Sequence, residues 1–316
     1  MKTGAGVVTH DRKALLQECM QCVLSQTLSF SDVVVVDNAS ADGSALYLDK
    51  LAAQSSSGGP GVTRIHVLHE KENLGGAGGF YCGLEYMGNI GCDLVLIIDD
   101  DAMIAPTFME EIVRNARVEK SVEAFAGVVE TAGLIDVSHR RRVSNRLLFI
   151  ESPVSVDEYV QGSFHCDTAT FCGLVVRGEA LLREGLPMKD YFLWYDDTEY
   201  CLRFSDSGGV EVVTAARLEH KTGNPVSESM QARGVISRIG WRQYYGYRNR
   251  YDTALRHFGR RTSWCVLAQY AALYFVTALL KHGSRGAQAR YANGVLRDVL
   301  HDCRKGRLGF NQKYHW

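Results

Sequence analysis

The sequence predicts an α/β protein: a Rossmann-like, mostly parallel sheet with helices on both faces, followed by a helical C-terminal region. Three observations carry this expectation. Val33, Val34, Val35 and Val36 form an unbroken β-branched run, as expected of a strand buried on both faces. Short apolar runs alternate with helical patterns through the first hundred residues, the order of parallel βαβ units. From about Gly234 onward the pattern becomes helical and basic. At 316 residues, 46% hydrophobic and 22% charged, the chain has an ordinary globular composition with room for about two structural units.

The elements follow in order. Residues 4–9 read as a first strand, and 11–25 as a helix with Leu15, Leu16, Cys19 and Val23 on one face. The valine strand at 32–37 ends in a turn-rich stretch, Asp37 to Gly43, before a helix at 44–53. Residues 55–61 form a surface loop and 64–68 a third strand. A glycine-rich turn at 73–79 precedes a helix at 80–87. A fourth buried strand at 93–98 is closed by Asp99-Asp100-Asp101. Further on, 125–129 and 170–176 read as strands, 140–142 opens an exposed loop, 196–205 is a helix and 210–213 a short strand before His220. No internal repeat is visible. The expected division is a catalytic domain at 1–232 and a basic, mostly helical region at 233–316.

Charge supports that division. The net charge is −1, which argues against a uniformly basic nucleic-acid binder. Yet residues 233–316 hold sixteen Lys+Arg against Asp252, Asp298 and Asp302, a balance of +13, leaving −14 for the rest. An acidic body with a basic tail suits attachment to an anionic surface. The nine cysteines are odd in number and, apart from Cys19-x-x-Cys22, lack paired spacing; free thiols in a reducing compartment are expected. The first residues have no long apolar core, so no signal peptide is expected. The apolar helix at 264–280 spans roughly 25 Å, short of a hydrocarbon core of about 30 Å. It is expected in a C-terminal bundle, as an oligomer contact, or at a membrane interface.

Four places could carry chemistry. Asp99, Asp100 and Asp101 follow a buried strand, where ligands bind in open α/β sheets. Alternation would put Asp99 and Asp101 on one side and turn Asp100 away. Adjacent carboxylates repel unless a cation neutralises them, and hard divalent ions accept such ligands; a solvated, exposed acidic turn is the other reading. Asn73-Leu-Gly75-Gly76-Ala-Gly78-Gly79 can bring backbone N–H groups close to a ligand, or be only a tight turn. It is not a dinucleotide fingerprint, because Tyr81 stands where the third glycine belongs. Asp196 and Glu199 have capping-box spacing, which leaves Asp197 free in a cleft as a general base beside Trp194 and Tyr195. The helix start favours its charged form and a closed apolar cleft opposes it. His220 is either structural or, beside the aspartates, a metal ligand.

In this order and spacing the motifs resemble a GT-A glycosyltransferase of the large inverting family 2, over roughly residues 3–255. The Asn-Leu-Gly-Gly-Ala-Gly-Gly-Phe string, the triple aspartate and Asp-Asp-x-Glu-Tyr resemble those of bacterial galactofuranosyltransferases and their rhamnosyltransferase relatives. Tyr244-Tyr245-x-x-Arg248-Asn249 is similar to the element after the catalytic domain in these enzymes. The resemblance implies that Thr9 and Asp37 contact the nucleoside, and that Asn73, Gly75, Gly76, Gly78 and Gly79 lie along the donor. It implies that Asp99, Asp101 and His220 hold a divalent ion, Mn2+ or Mg2+, and that Asp197 is the base. Asp100 then contacts the donor, and Trp194, Asp196 and Glu199 the acceptor. The implied donor is UDP-galactofuranose, and the acceptor a cell-surface glycan or lipid-linked precursor. The location is cytoplasmic, peripheral on the inner membrane's cytoplasmic face. The rivals are a dTDP-rhamnosyltransferase, a metal-dependent nucleotidyltransferase and a non-catalytic glycan-binding protein.

Overall fold

A computed structural model describes residues 1–56, 61–223, 239–280 and 286–315. The expected 55–61 loop begins later, because the helix runs through Ser56; its residues 57–60 and the 232/233 boundary lie outside the described residues. The main strands in chain order are β1 (Thr3–Thr9), β2 (Asp32–Asp37), β3 (Arg64–His69), β4 (Leu94–Asp99), β5 (Ala102–Ile104), β6 (Ala124–Thr131) and β7 (Leu134–Ile135). They continue with β8 (Arg140–Asn145), β9 (Ile150–Pro153), β10 (Ser163–Cys166), β11 (Thr168–Ala169), β12 (Leu174–Arg177) and β13 (Val210–His220). The helices of the body are α1 (Lys13–Leu24), α2 (Ser44–Ser56), α3 (Gly75–Ile90), α4 (Phe108–Val118), α5 (Gly178–Glu184) and α6 (Asp196–Leu202).

The large sheet runs β10-β13-β6-β12-β4-β1-β2-β3. β1 pairs in parallel with both β2 and β4, and β2 with β3; β12 enters antiparallel between β4 and β6. Register aligns the site: Thr9 faces Asp37 and Val8 faces Asp99, so all three strand ends finish on one edge. The valine run explains the layering. Val33 and Val35 pack on the face that carries α1 and α4 residues, and Val34 and Val36 on the face that carries Phe80 and Leu84 of α3. Each such fully buried aliphatic side chain stabilises by about 1.5–3 kcal/mol relative to exposure.

Three expectations need correction. The glycine stretch is not a turn ahead of a helix; from Gly75 it is the first turn of α3 itself. Glycine is a poor helix former, but a Cβ on Gly79 would lie 2.5 Å from Val8 Cγ1, so close packing on β1 selects it. Residues 140–142 are not an exposed loop. They begin β8, and Arg140 is fully buried, donating to the Gly127, His139 and Cys172 carbonyls. The strand at 210–213 extends through His220, pairing with β5 and β6 beside the aspartates.

All nine cysteines are free thiols. Past the body, helix Trp241–Leu279 is broken at Gly259 (φ 81°) and packs against helix Gly286–Lys305. It is long and apolar enough to cross a membrane by length and composition, with a third of its most apolar window buried inside the protein. Trp264, Phe275 and Leu279 are exposed. Part of the basic tail turns inward: Arg248 is buried, and Arg250 donates to the Leu148 and Phe149 carbonyls of the body.

Candidate functional site

A cavity of about 380 Å³ opens at the carboxyl edge of β1 and β4, lined by Thr9, Arg12, Asn38, Asn73, Gly75, Gly76, Asp99, Asp100, Phe192 and Leu193 among others. It is the crevice expected at strand ends in an open α/β sheet. A larger one, about 1200 Å³, adjoins it through His10, Asp11, Asn73 and Phe192, and is lined also by Gly78, Tyr81 and Phe310.

The acidic cluster closes the floor. Asp100 accepts from Thr9 Oγ1 at 2.7 Å and from Arg12 Nη1 at 3.3 Å. The same Arg12 nitrogen lies 2.7 Å from Asp101 Oδ2, which also accepts from Thr222. Asp100 is therefore not turned away: β4 ends at Asp99, and strand alternation ends with it. Nor is the cluster an exposed turn, since Asp100 and Asp101 are each 3% exposed. Arg12 was not singled out in the sequence. Its guanidinium supplies the neutralising positive charge, and an arginine two residues past the strand-end Thr9-His10 was the available signal.

These contacts set the ionisation. Burial, reinforced by Asp101 and Asp100, raises the pKa of Asp99. Burial pushes Asp100 up to about 6 against the pull of Thr9 and Arg12. For Asp101 burial also acts upward, but the pairing with His220 and the hydrogen bond from Thr222 outweigh it and lower its pKa.

His220 Nε2 stands 3.4 Å from Asp101 Oδ1. Asp101 Oδ1 and His220 Nδ1 are buried without a hydrogen-bond partner. Asp101 Oδ1 and the imidazole Nε2 that faces it are donors of the types that fit two ligands of one divalent ion, whereas Nδ1 lies on the other side of the ring. Among the described residues no group of three His, Cys, Asp or Glu side chains is assembled to hold a metal. The structure thus joins Asp101 and His220, and does not bring Asp99 into a ready-made triad with them.

The glycine turn is pinned rather than loose. Asn38 donates to Asn73 Oδ1 and to the Gly75 carbonyl, each at 3.0 Å, and accepts from the Leu74 N–H. Asn73 Oδ1 also accepts from the Gly75 N–H at 2.8 Å. Gly75 has φ +73°, and a Cβ there would lie 2.0 Å from the Phe192 carbonyl oxygen, whereas Gly76 faces open space. Of the expected donor glycines, Gly75 and Gly76 line the smaller cavity and Gly78 the larger, while Gly79 is packed under Val8. Gly75→Ala is expected to destabilise the fold by about 1–3 kcal/mol through the strained φ alone, read as a lower Tm, with Gly76→Ala unchanged. Asp37 is buried, held by His69 Nδ1 at 2.9 Å and the Ser40 N–H at 3.0 Å.

The segment before α6 is unusual. Phe192, Trp194 and Tyr195 all have positive φ, 64°, 65° and 70°. The Leu193 N–H reaches back to the Tyr191 carbonyl at 2.7 Å, closing a γ-turn of the rare strained hand. The expected capping box is absent: no side chain caps α6. Glu199 is buried, with its oxygens held by Arg203 (2.6 Å) and His257 (3.2 Å). The paired aspartates diverge. Burial and then the charge of Asp197 raise the Asp196 pKa, with Asp99 adding less, whereas Asp197 lies in the field of Arg141 and Glu151. Asp197 Oδ1 accepts from the Thr198 N–H at 2.6 Å. Burial nonetheless wins over Arg141 and the helix-start N–H, so the Asp197 pKa is raised. Trp194 is 41% exposed, its ring over Gly246.

The glycosyl transferase family 2 profile matches residues 5–171. Galactofuranosyltransferase GlfT1 of Mycolicibacterium smegmatis is 34% identical over 103 residues, 33% of this chain and 31% of that protein; the match thus spans about a third of that relative. The structure of GalNAc-T7 with UDP, GalNAc and Mn2+ superposes with a TM-score of 0.58 at 12% identity, covering 94% of this chain and 55% of that one. S. aureus TarS 1-349 in complex with UDP superposes with a TM-score of 0.54 at 13% identity, covering 100% and 98%.

Proposed function

The chain belongs to glycosyl transferase family 2, and on that premise we propose that it moves galactofuranose from UDP-galactofuranose to a hydroxyl of a cell-surface glycan or lipid-linked precursor. The observation that carries the reading is the 380 Å³ crevice, in which Thr9, Arg12, the pinned Gly75–Gly76 backbone and Asp99–Asp100 converge. A nucleoside diphosphate needs cationic and N–H donors along its phosphates; the Arg12 guanidinium and the Gly76 backbone, which faces open space in the crevice, are the groups placed for it. The partial likeness to a galactofuranosyltransferase supports the sugar.

In this reading Asp101 and His220 would hold a divalent ion, with Asp99 close by. When bound, that ion neutralises the diphosphate as it departs. Thr9 and Asp37 orient the nucleoside. Asp197 takes the proton from the acceptor hydroxyl, whose oxygen attacks the anomeric carbon opposite the leaving group, inverting the configuration. Trp194 and Asp196 flank the acceptor, while Glu199 fixes α6 through Arg203 and His257. Residues 1–232 form the catalytic domain. The basic region at 233–316 places it at an anionic cytoplasmic membrane surface, where lipid-linked acceptors reside.

The test is a panel of nucleotide sugars with Mn2+, assayed for release of the nucleoside diphosphate. Consumption of UDP-galactofuranose above all others is expected. Preference for dTDP-rhamnose would replace the donor, and release of pyrophosphate would replace the reaction class.

A further inference from the structure

We propose that Asn249, locked by Arg248, is a positioning residue for the acid pair at the start of α6. The inference rests on the reading of Asp197 as base, and goes beyond it by naming what holds that base in place.

Asn249 is fully buried, and the two N–H groups of its amide are shared among three carbonyls: Tyr191 at 3.0 Å, Leu193 at 3.0 Å and Trp194 at 2.8 Å from the nitrogen. These carbonyls belong to the left-handed segment just described. Its oxygen accepts from Arg248 Nε at 3.0 Å, which fixes the amide's orientation. Arg248 donates in turn to the Asp190 and Tyr191 carbonyls, at 3.3 and 3.1 Å, and to the Gly309 carbonyl at 2.6 Å. The Tyr191 carbonyl thus takes hydrogen bonds from the γ-turn N–H, from Asn249 and from Arg248.

Strained backbone persists only where its surroundings over-determine it. Here the surroundings are one asparagine and one arginine from the C-terminal helix, more than fifty residues downstream. The gripped segment touches both halves of the site. The Phe192 carbonyl accepts from the Ala77 N–H of the glycine turn at 3.2 Å. Tyr195 leads directly into Asp196 and Asp197. Asn249 therefore sets the distance between the donor turn and the base.

The test uses Asn249→Ala and Asn249→Asp in the full chain. The aspartate keeps the Arg248 bond but turns a carboxylate oxygen toward three carbonyls. Asn293→Ala is the control: Asn293 is also a buried asparagine of the C-terminal helices, and its amide is bonded to Tyr274 and Thr277 rather than to the 191–197 segment. Amide hydrogen exchange at 191–197 is expected to accelerate in both Asn249 variants, with β1 and β4 unchanged and the control unchanged at 191–197. Turnover is expected to fall about 10²-fold, as for a small misplacement of a reacting group, with donor KM within about threefold. Unchanged exchange at 191–197 overturns the proposal, as does a loss confined to donor KM or one matched by Asn293→Ala. Exchange is read without substrate, so a parent protein that consumes no nucleotide sugar counts against the transferase reading and leaves the clamp decided by exchange. Should Asn249→Ala not fold, Asn249→Asp carries both readouts.

Discussion

Asp197→Asn is expected to lower turnover by about 10²–10⁴-fold, the range for loss of a general base, while leaving donor binding intact. A group that acts on the acceptor proton affects the transition state more than the ground state. Burial raises the Asp197 pKa over the opposing pull of Arg141, and this gives two further expectations. Turnover in the parent should rise with pH through a point above the ordinary carboxylate value of about 3.9, because the base must be ionised. A carboxylate whose folded pKa is raised lowers stability above its unfolded pKa. Removing the charge therefore relieves a penalty, and the variant's Tm at neutral pH should be no lower than the parent's. Initial rates against pH, calorimetric donor binding and thermal melting check the three. A greater loss from Asp196→Asn would transfer the role to Asp196.

The second large effect is expected at Asp101. Asp101→Asn should reduce transfer at least about a hundredfold, since a metal supplies several kcal/mol of charge stabilisation and about 1.4 kcal/mol is tenfold. Chelation of the parent should do the same, with activity restored by Mn2+. The asparagine is the right probe. Asp101 is buried and accepts from Arg12 and Thr222, so an alanine would also take the acceptor from Thr222 and one of two carboxylate partners from Arg12. Calorimetry with Mn2+ in the presence of UDP reads the ion directly, and loss of that heat in the variant is expected. Full transfer in excess chelator would remove the metal from the mechanism.

Local pattern was enough for some of this. Four consecutive valines can satisfy only a strand with apolar layers on both sides, and Val33–Val36 form one. The strand that ends in Asp99 and the Asp-Asp-x-Glu helix start were readable, because hydrophobic period and turn residues are local signals; the continuation of the 210–213 strand to His220 was not, because it rests on pairing with β5 and β6. Other features depend on partners distant in sequence. Arg12 meets Asp100 and Asp101 across 88 and 89 positions, and no periodicity marks that meeting. Arg140 looks like a loop arginine until three carbonyls surround it. Glycine has low helix propensity, so the stretch from Gly75 reads as a turn; contact with Val8 and Phe192 makes it a helix start. The positive φ angles at Phe192, Trp194 and Tyr195 contradict the local preference of bulky side chains. Hydrogen bonds from Arg248 and Asn249, supplied by a distant helix, hold that segment in place, and only the folded chain brings them there.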